Sequence, residues 1–343
     1  MSVYKEEASS SVDMEKIYIP LCVVPEGAVE TDAQTTRTNP LSLLTPGSRQ
    51  VILGDPGSGK STLLRFLALA GQQQQLIERY GAQPDERLPI LVTLRRYADE
   101  LKSRPTLSLF DYIFELTKSE FDLETADQEF LPYHLAAGQA LLFFDGLDEL
   151  PSSNFKQTVR ERIEALLSEY PGNTAILTSR IVGYDKDVRY DNLGFSHHRI
   201  ARLSVDDISN FVGNWYGARI ENKTERERHT NDLIRIVNDA ESRAICELAE
   251  NPLLLTIICL VHRIDAVLPD ERVVLYQKCT ETLLNTWHAW KFHSEQPRSR
   301  NKVERRNRAR MEAIAYWMHC LFEAEGQGKR SVVPYDSIRT FLA

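Results

Sequence analysis

No stretch of this 343-residue chain is apolar for long enough to cross a bilayer. The longest apolar run, Pro252 to Val261, reaches about half of the roughly 20 residues that a spanning helix needs. A secretory leader is missing too, because MSVYKEEASSSVDMEK is polar where an apolar core would be required. The expectation is a cytoplasmic protein with no membrane partner. Cysteine is sparse: Cys22, Cys246, Cys259, Cys279 and Cys320 are scattered without CxxC spacing, which favours buried free thiols over disulfides or a metal site. Positive charge is not in excess either. The formal net charge is -8, so nothing in the overall balance calls for a nucleic-acid partner. There is no internal repeat, and the runs QQQQ and SSS are too short to be low-complexity segments. With 42% hydrophobic and 26% charged residues, the composition is that of a globular protein rather than a disordered one.

The length suits two units or slightly more. Residues 1–40 read as an N-terminal arm or linker in which IYIPLCVV (Ile17 to Val24) supplies one strand or extended stretch. From 41 to 202, short apolar runs alternate with helical periodicity: QVILG (50–54), LPILVTL (88–94), ALLFFD (140–145) and TAILTSR (174–180). That alternation predicts an α/β domain, a parallel sheet flanked by helices, with strands buried on both faces. Between the last two runs, Phe155, Val159, Ile163, Leu166 and Leu167 recur at helical spacing before Pro171-Gly172. From 203 to 293 only the helical period remains. Ser204 reads as an N-cap with Asp207 three residues on, and Ile208, Phe211, Val212 and Trp215 share one face. Further helices are expected at about 230–250, 252–263 and 270–291. The basic run Arg298 to Arg310 then leads into another amphipathic helix within 294–343. It reads as a solvated linker and helix start, with nucleic acid or an acidic partner as the alternative.

Two stretches carry chemistry. VILGDPGSGKST fits G-x-x-x-x-G-K-[ST] from Gly54 to Ser61, directly after a strand and before a helix. Such a loop, here Gly54, Pro56, Gly57, Ser58 and Gly59, wraps its N-H groups around a triphosphate at a helix N-terminus. Lys60 then supplies charge to the β- and γ-phosphates, Ser61 a hydroxyl for Mg²⁺, and Thr62 a contact on the α-phosphate side. The second stretch, LLFFDGLDELP, ends a strand in Asp145 and adds Asp148 and Glu149. Three carboxylates so close together need a cation among them. Asp145 is placed to hold Mg²⁺ through water, with Asp148 and Glu149 near the attacking water, either able to act as base. Arg180, closing ILTSR, is placed to sense γ-phosphate charge, with Thr178 and Ser179 as hydrogen-bond partners.

In order, GDPGSGKST, LPILVTLRRYADEL, LLFFDGLDELP, ILTSR, LSVDDISNFVGNWYG, ENPLLLTIICLVH and LPDERVVLYQKCTETLLNTW resemble the NACHT subgroup of STAND nucleotide-binding signalling ATPases in its bacterial NLR-like form. The resemblance covers about residues 15 to 335. It implies a P-loop sheet, a small helical bundle and the start of a winged-helix-like element. It also implies a switch in which ADP holds an inactive monomer and exchange for ATP permits self-oligomerisation that activates an effector. In that family a proline lies against adenine, and the matching position is Pro252. The family's winged-helix histidine has no counterpart after Leu342, and neither sensor repeats nor an effector are recognisable, so these modules are expected from other chains or from a longer form of this one.

The reading is therefore a slow, Mg²⁺-dependent ATPase acting as a signalling switch in bacterial anti-phage defence. An AAA+-like ATPase remodelling nucleic acid or protein is the alternative, resting on Arg298 to Arg310, and an inert nucleotide-dependent scaffold is a third. Adenine is preferred over guanine because no N-K-x-D element is present; NKTE at 222–225 does not match.

Overall fold

In the computed structural model, residues 14–28, 37–120, 129–150, 153–184, 188–239, 243–265, 273–278, 280–281, 300–324, 333 and 335–342 are described. They fall into two compact units, Val12–Thr256 and Ile257–Ala343. None of the described helices is long and apolar enough to cross a membrane.

The first unit is built on a six-stranded sheet with strands β1 (Val23–Pro25), β2 (Arg49–Leu53), β3 (Leu88–Thr93), β4 (Ala140–Asp145), β5 (Thr174–Ser179) and β6 (Ser196–Ile200). Their order is β1-β6-β2-β5-β4-β3, parallel except for the antiparallel β1. β5 is buried throughout and β4 everywhere but at Asp145, as their apolar sequences require of strands covered on both faces. On one face Val51, Leu53, Val92, Leu142, Phe144, Ala175 and Leu177 pack with helices α4 (Leu94–Ser103), α5 (Leu109–Glu120), α6 (Phe130–Ala136) and α7 (Ser153–Glu169). The alternate residues Ile52, Leu141, Phe143 and Ile176 turn to the other face, where α2 (Lys60–Ala70) lies on β3, β4 and β5. Two shorter helices, α1 (Met14–Ile17) and α3 (Gln74–Tyr80), complete this part of the unit.

The N-terminal arm forms a strand only over Val23–Pro25, where it pairs with β6 and covers that sheet edge. Upstream it lies against α2: Tyr18 stacks on Phe66 with ring centroids 4.4 Å apart, and the Tyr80 hydroxyl donates to Tyr18 O at 2.6 Å. β6 is the strand that the sequence did not announce. Its residues, SHHRI, lack an apolar run because the strand is only partly buried.

α7 ends at Glu169, ahead of Pro171, with Val159, Ile163, Leu166 and Leu167 buried. Beyond the sheet come α8 (Val205–Gly217), α9 (Lys223–Val237), α10 (Arg243–Ala249) and α11 (Pro252–Asp265). α8 opens on a reciprocal capping box between Ser204 and Asp207 and buries Ile208, Phe211, Val212 and Trp215. The single helix expected at about 230–250 is instead two, α9 and α10. Asn238 closes α9 with its N-H on Ile234 O and Ile236 O. The helix expected at 270–291 lies largely outside the described residues, as do Arg298, Ser299 and residues 325–332.

In the second unit, α12 (Arg300–Ala324) starts within the basic run, as expected of a helix start, and takes in most of it. Its Arg308 pairs with Glu281 and Glu312, both at 2.8 Å. Trp317 stacks on Phe341 of α13 (Tyr335–Leu342).

Asn173, fully buried just before β5, fixes how β4 and β5 meet. Its Oδ1 accepts from Ala140 N at 2.9 Å, and its Nδ2 donates to Leu135 O at 2.8 Å and Tyr170 O at 3.1 Å. Asn173→Ala strands those buried partners, so urea unfolding should show a loss of about 2–4 kcal/mol. An unchanged midpoint would mean that the side chain does not hold the strands together.

Candidate nucleotide-binding site

The site lies at the C-terminal edge of the sheet, where β2 runs into the loop Gly54 to Lys60 and then α2. Gly54 N donates to Ser179 O at 3.2 Å, tying the loop's first residue to the end of β5. Ser58 N donates to Asp55 O at 3.1 Å and closes a turn within the loop. Lys60 Nζ reaches back to Gly54 O at 2.9 Å and Asp55 O at 3.1 Å. Burial lowers the Lys60 ammonium below the usual lysine range; Asp148 opposes that shift, Arg180 adds to it, and Asp145 and Asp55 oppose it.

α2 begins at Gly59 without a side-chain cap, and its ladder opens with Leu63 N donating to Gly59 O at 2.8 Å. The N-H groups of Lys60, Ser61 and Thr62 precede that bond and form the helix's positive end. Ser58 Oγ is buried in the loop without a hydrogen-bond partner among the described residues. Uncapped N-H groups, a lysine and an orphaned hydroxyl together fit the phosphates of a nucleotide.

Two segments distant in sequence pack on this loop, and both require glycine beneath them. At Gly57, with φ at 75°, a Cβ would sit 2.8 Å from Leu253 Cβ and 3.0 Å from Asn251 Oδ1. At Gly59, with φ at 91°, it would sit 2.6 Å from Leu21 Cδ1 of the N-terminal arm. Asn251 Nδ2 donates to Pro56 O at 3.0 Å, and Leu253 N donates to Gly57 O at 3.2 Å. Asn251 Oδ1 also accepts from Leu253 N and Leu254 N, capping α11, of which Pro252 is the first residue. Pro252 thus stands beside the phosphate loop. The contribution of Asn251 was readable in principle, since an Asn-Pro pair opening a helix is a capping signal. Leu21 carried no such local sign.

β4 delivers Asp145 to the same edge. Its Oδ1 accepts a 2.7 Å hydrogen bond from Thr178 Oγ1, which in turn accepts from Gly146 N at 3.0 Å. The Thr178 hydroxyl is therefore engaged with Asp145, where the sequence suggested a partner for Arg180 or phosphate. A short 3-10 turn, Leu147–Glu149, follows and carries the two remaining acids. Asp148 has both oxygens committed to one residue: Oδ1 accepts from Arg180 N at 3.0 Å, and Oδ2 lies 2.8 Å from Arg180 Nε. The side chain of Asp148 is only 9% exposed, against 49% for Arg180. Glu149 is exposed, its N-H donates to Gly146 O at 3.1 Å, and its side chain has no hydrogen bond or ion pair among the described residues.

The donor set also suits magnesium. Among the described residues no group of three or more His, Cys, Asp or Glu could hold a metal ion by itself. A single carboxylate, Asp145, and a single hydroxyl, Ser61, are what a magnesium ion takes from a protein when phosphates and water complete its octahedron.

No curated protein matches the chain in sequence. Among solved structures, domain III of the Thermotoga maritima replication initiation protein DnaA aligns with a TM-score of 0.35 at 10% identity, covering 68% of this chain and 86% of that one. C. elegans PCH-2 aligns with a TM-score of 0.34 at 13% identity, covering 71% of this chain and 62% of that one. The sequence profile described as NACHT domain matches residues 48–219, which is half of the chain and runs from the strand before the phosphate loop to the end of α8. The chain belongs to the NACHT domain family.

Proposed function

We propose that the chain binds ADP and ATP with Mg²⁺ at Gly54 to Thr62, hydrolyses ATP slowly, and uses the bound nucleotide as a switch for self-assembly in signalling, in bacterial defence against phage. Family membership supports the coarser part, a nucleotide-binding NTPase. The observation that carries the reading of a phosphate-binding hydrolase site is the placing of Lys60, Asp145 and the Asp148–Arg180 pair at one sheet edge; the switch and the defence role rest on the family resemblance.

The roles follow from the contacts. Lys60 exchanges its two loop carbonyls for β- and γ-phosphate oxygens. Ser61 and Asp145 hold the metal, which when bound neutralises charge on those same oxygens. Thr62 lies on the α-phosphate side, and Pro252, fixed beside the loop by Asn251, faces the adenine. Glu149 is the better placed general base, because it is exposed and uncommitted while both oxygens of Asp148 accept from Arg180. Asp148 then serves to present Arg180, whose guanidinium stabilises charge on the γ-phosphate. Self-association, and effector and sensor modules outside these residues, complete the switch. A remodelling motor finds less support, since Arg308 of the basic run is already paired with acids.

Denaturing the purified protein should release ADP; guanine nucleotide in its place would overturn the base assignment. Lys60→Ala should abolish ADP binding in a titration, since the phosphates lose their charge partner. Micromolar affinity in that variant would count against the loop. In single-turnover assays Glu149→Gln should slow hydrolysis by about 10²-fold or more with ADP affinity intact. If Asp148→Asn alone stops turnover while Glu149→Gln does not, the base is Asp148.

A further inference from the structure

Thr178 is fully buried near the end of the central strand β5, and its hydroxyl both donates and accepts a hydrogen bond. It donates to Asp145 Oδ1 at 2.7 Å and accepts from Gly146 N at 3.0 Å. A hydroxyl has one proton to give, and here that proton goes to the carboxylate. The carboxylate torsion of an aspartate is soft and roughly two-fold, so a free Asp145 would sample several orientations. Thr178 is stiff at χ1 because it is β-branched, and its strand is hydrogen-bonded on both sides, so it can impose one orientation. That leaves Oδ2 as the oxygen not engaged by Thr178. The same hydroxyl anchors Gly146, the residue from which the turn carrying Asp148 and Glu149 departs.

We propose that Thr178 is a positioning residue for the magnesium carboxylate: through its paired hydrogen bonds to Asp145 and Gly146 it aims Asp145 at the cation and fixes the origin of the turn that follows. The proposal rests on the nucleotide reading above. Thr178 itself touches neither nucleotide nor metal. In nucleotide binding its action shows in how tightly the bound nucleotide recruits Mg²⁺, since Gly54 to Thr62 grip the phosphates without it.

The test is a titration of a fluorescent ADP analogue in EDTA and across a Mg²⁺ series, on the full chain. Thr178→Val keeps the shape and removes the hydroxyl. It should leave affinity in EDTA unchanged and raise the half-saturating Mg²⁺ concentration by about 10- to 100-fold, the usual cost of losing a partner that orients a metal ligand. Thr178→Ser should restore the wild-type Mg²⁺ curve. In an Asp145→Asn background Thr178→Val should add no further shift, because the ligand it aims is gone. Should the melting curve show the valine variant unfolded, Thr178→Ala takes its place with the same expectations. A wild-type Mg²⁺ curve for the valine or alanine variant, a serine variant as impaired as valine, or additive shifts with Asp145→Asn would each overturn the proposal while leaving nucleotide binding standing. A wild-type protein that binds the analogue neither in EDTA nor in Mg²⁺ would remove the nucleotide reading, and this proposal with it.

Discussion

Strand β5 lies between the strand that launches the phosphate loop and the strand that ends in the acids, and its register against both governs every distance at the sheet edge. Leu53 stands opposite Ser179, so Gly54 meets the end of β5; Phe144 stands opposite Leu177, so Asp145 meets Thr178. Side chains alternate faces along a strand. A slip by one residue would turn Thr178 away from Asp145 and exchange the two apolar faces. Burial on both sides makes such a slip prohibitive, because each face is already filled by helices. Asn173 holds the same register from the opposite end of the strands, with three hydrogen bonds of which two are buried. The precision of the site is thus inherited from the core rather than from the loops that form it.

The sheet edge distributes charge in a way that the acidic signature alone would not suggest. Asp145, Asp148 and Glu149 each meet different surroundings. Asp145 receives a neutral hydroxyl, Asp148 receives a guanidinium and a backbone N-H, and Glu149 faces solvent. Lys60 is left bound to backbone carbonyls of its own loop, with burial working against its charge. An anion at the loop would relieve that cost, which is the physical reason for a phosphate site to be built around a half-buried lysine.

Much of this was legible in the chain. Strands β2 to β5, the helix from Ser153 to Glu169 and the Ser204 capping box follow from apolar runs, helical spacing and local hydrogen-bond chemistry, all of which act over a few residues. β6 was not legible, since a partly buried strand need not be apolar, and SHHRI resembles any polar connection. The break between α9 and α10 was missed for a similar reason: the helical period continues across a stop that backbone groups at Asn238 impose. At the site, the residue types were readable, but the pairing of Asp148 with Arg180 was not. Neither was the packing of Leu21 and Leu253 on the loop glycines, because those partners are far apart in sequence.

By itself the sequence determined the chemistry on offer: a phosphate loop after a strand, acids at a strand end, an arginine at another, and the family to which these belong. Those features are short-range, and a chain carries them wherever it folds. The tertiary structure decided which partner each acid has, because that depends on which neighbour each carboxylate meets at the sheet edge. It also decided that Thr178 serves Asp145, and that residues near 20 and 250 close over the loop. No local pattern encodes those contacts; they exist only once the parallel sheet has brought β2, β5 and β4 side by side.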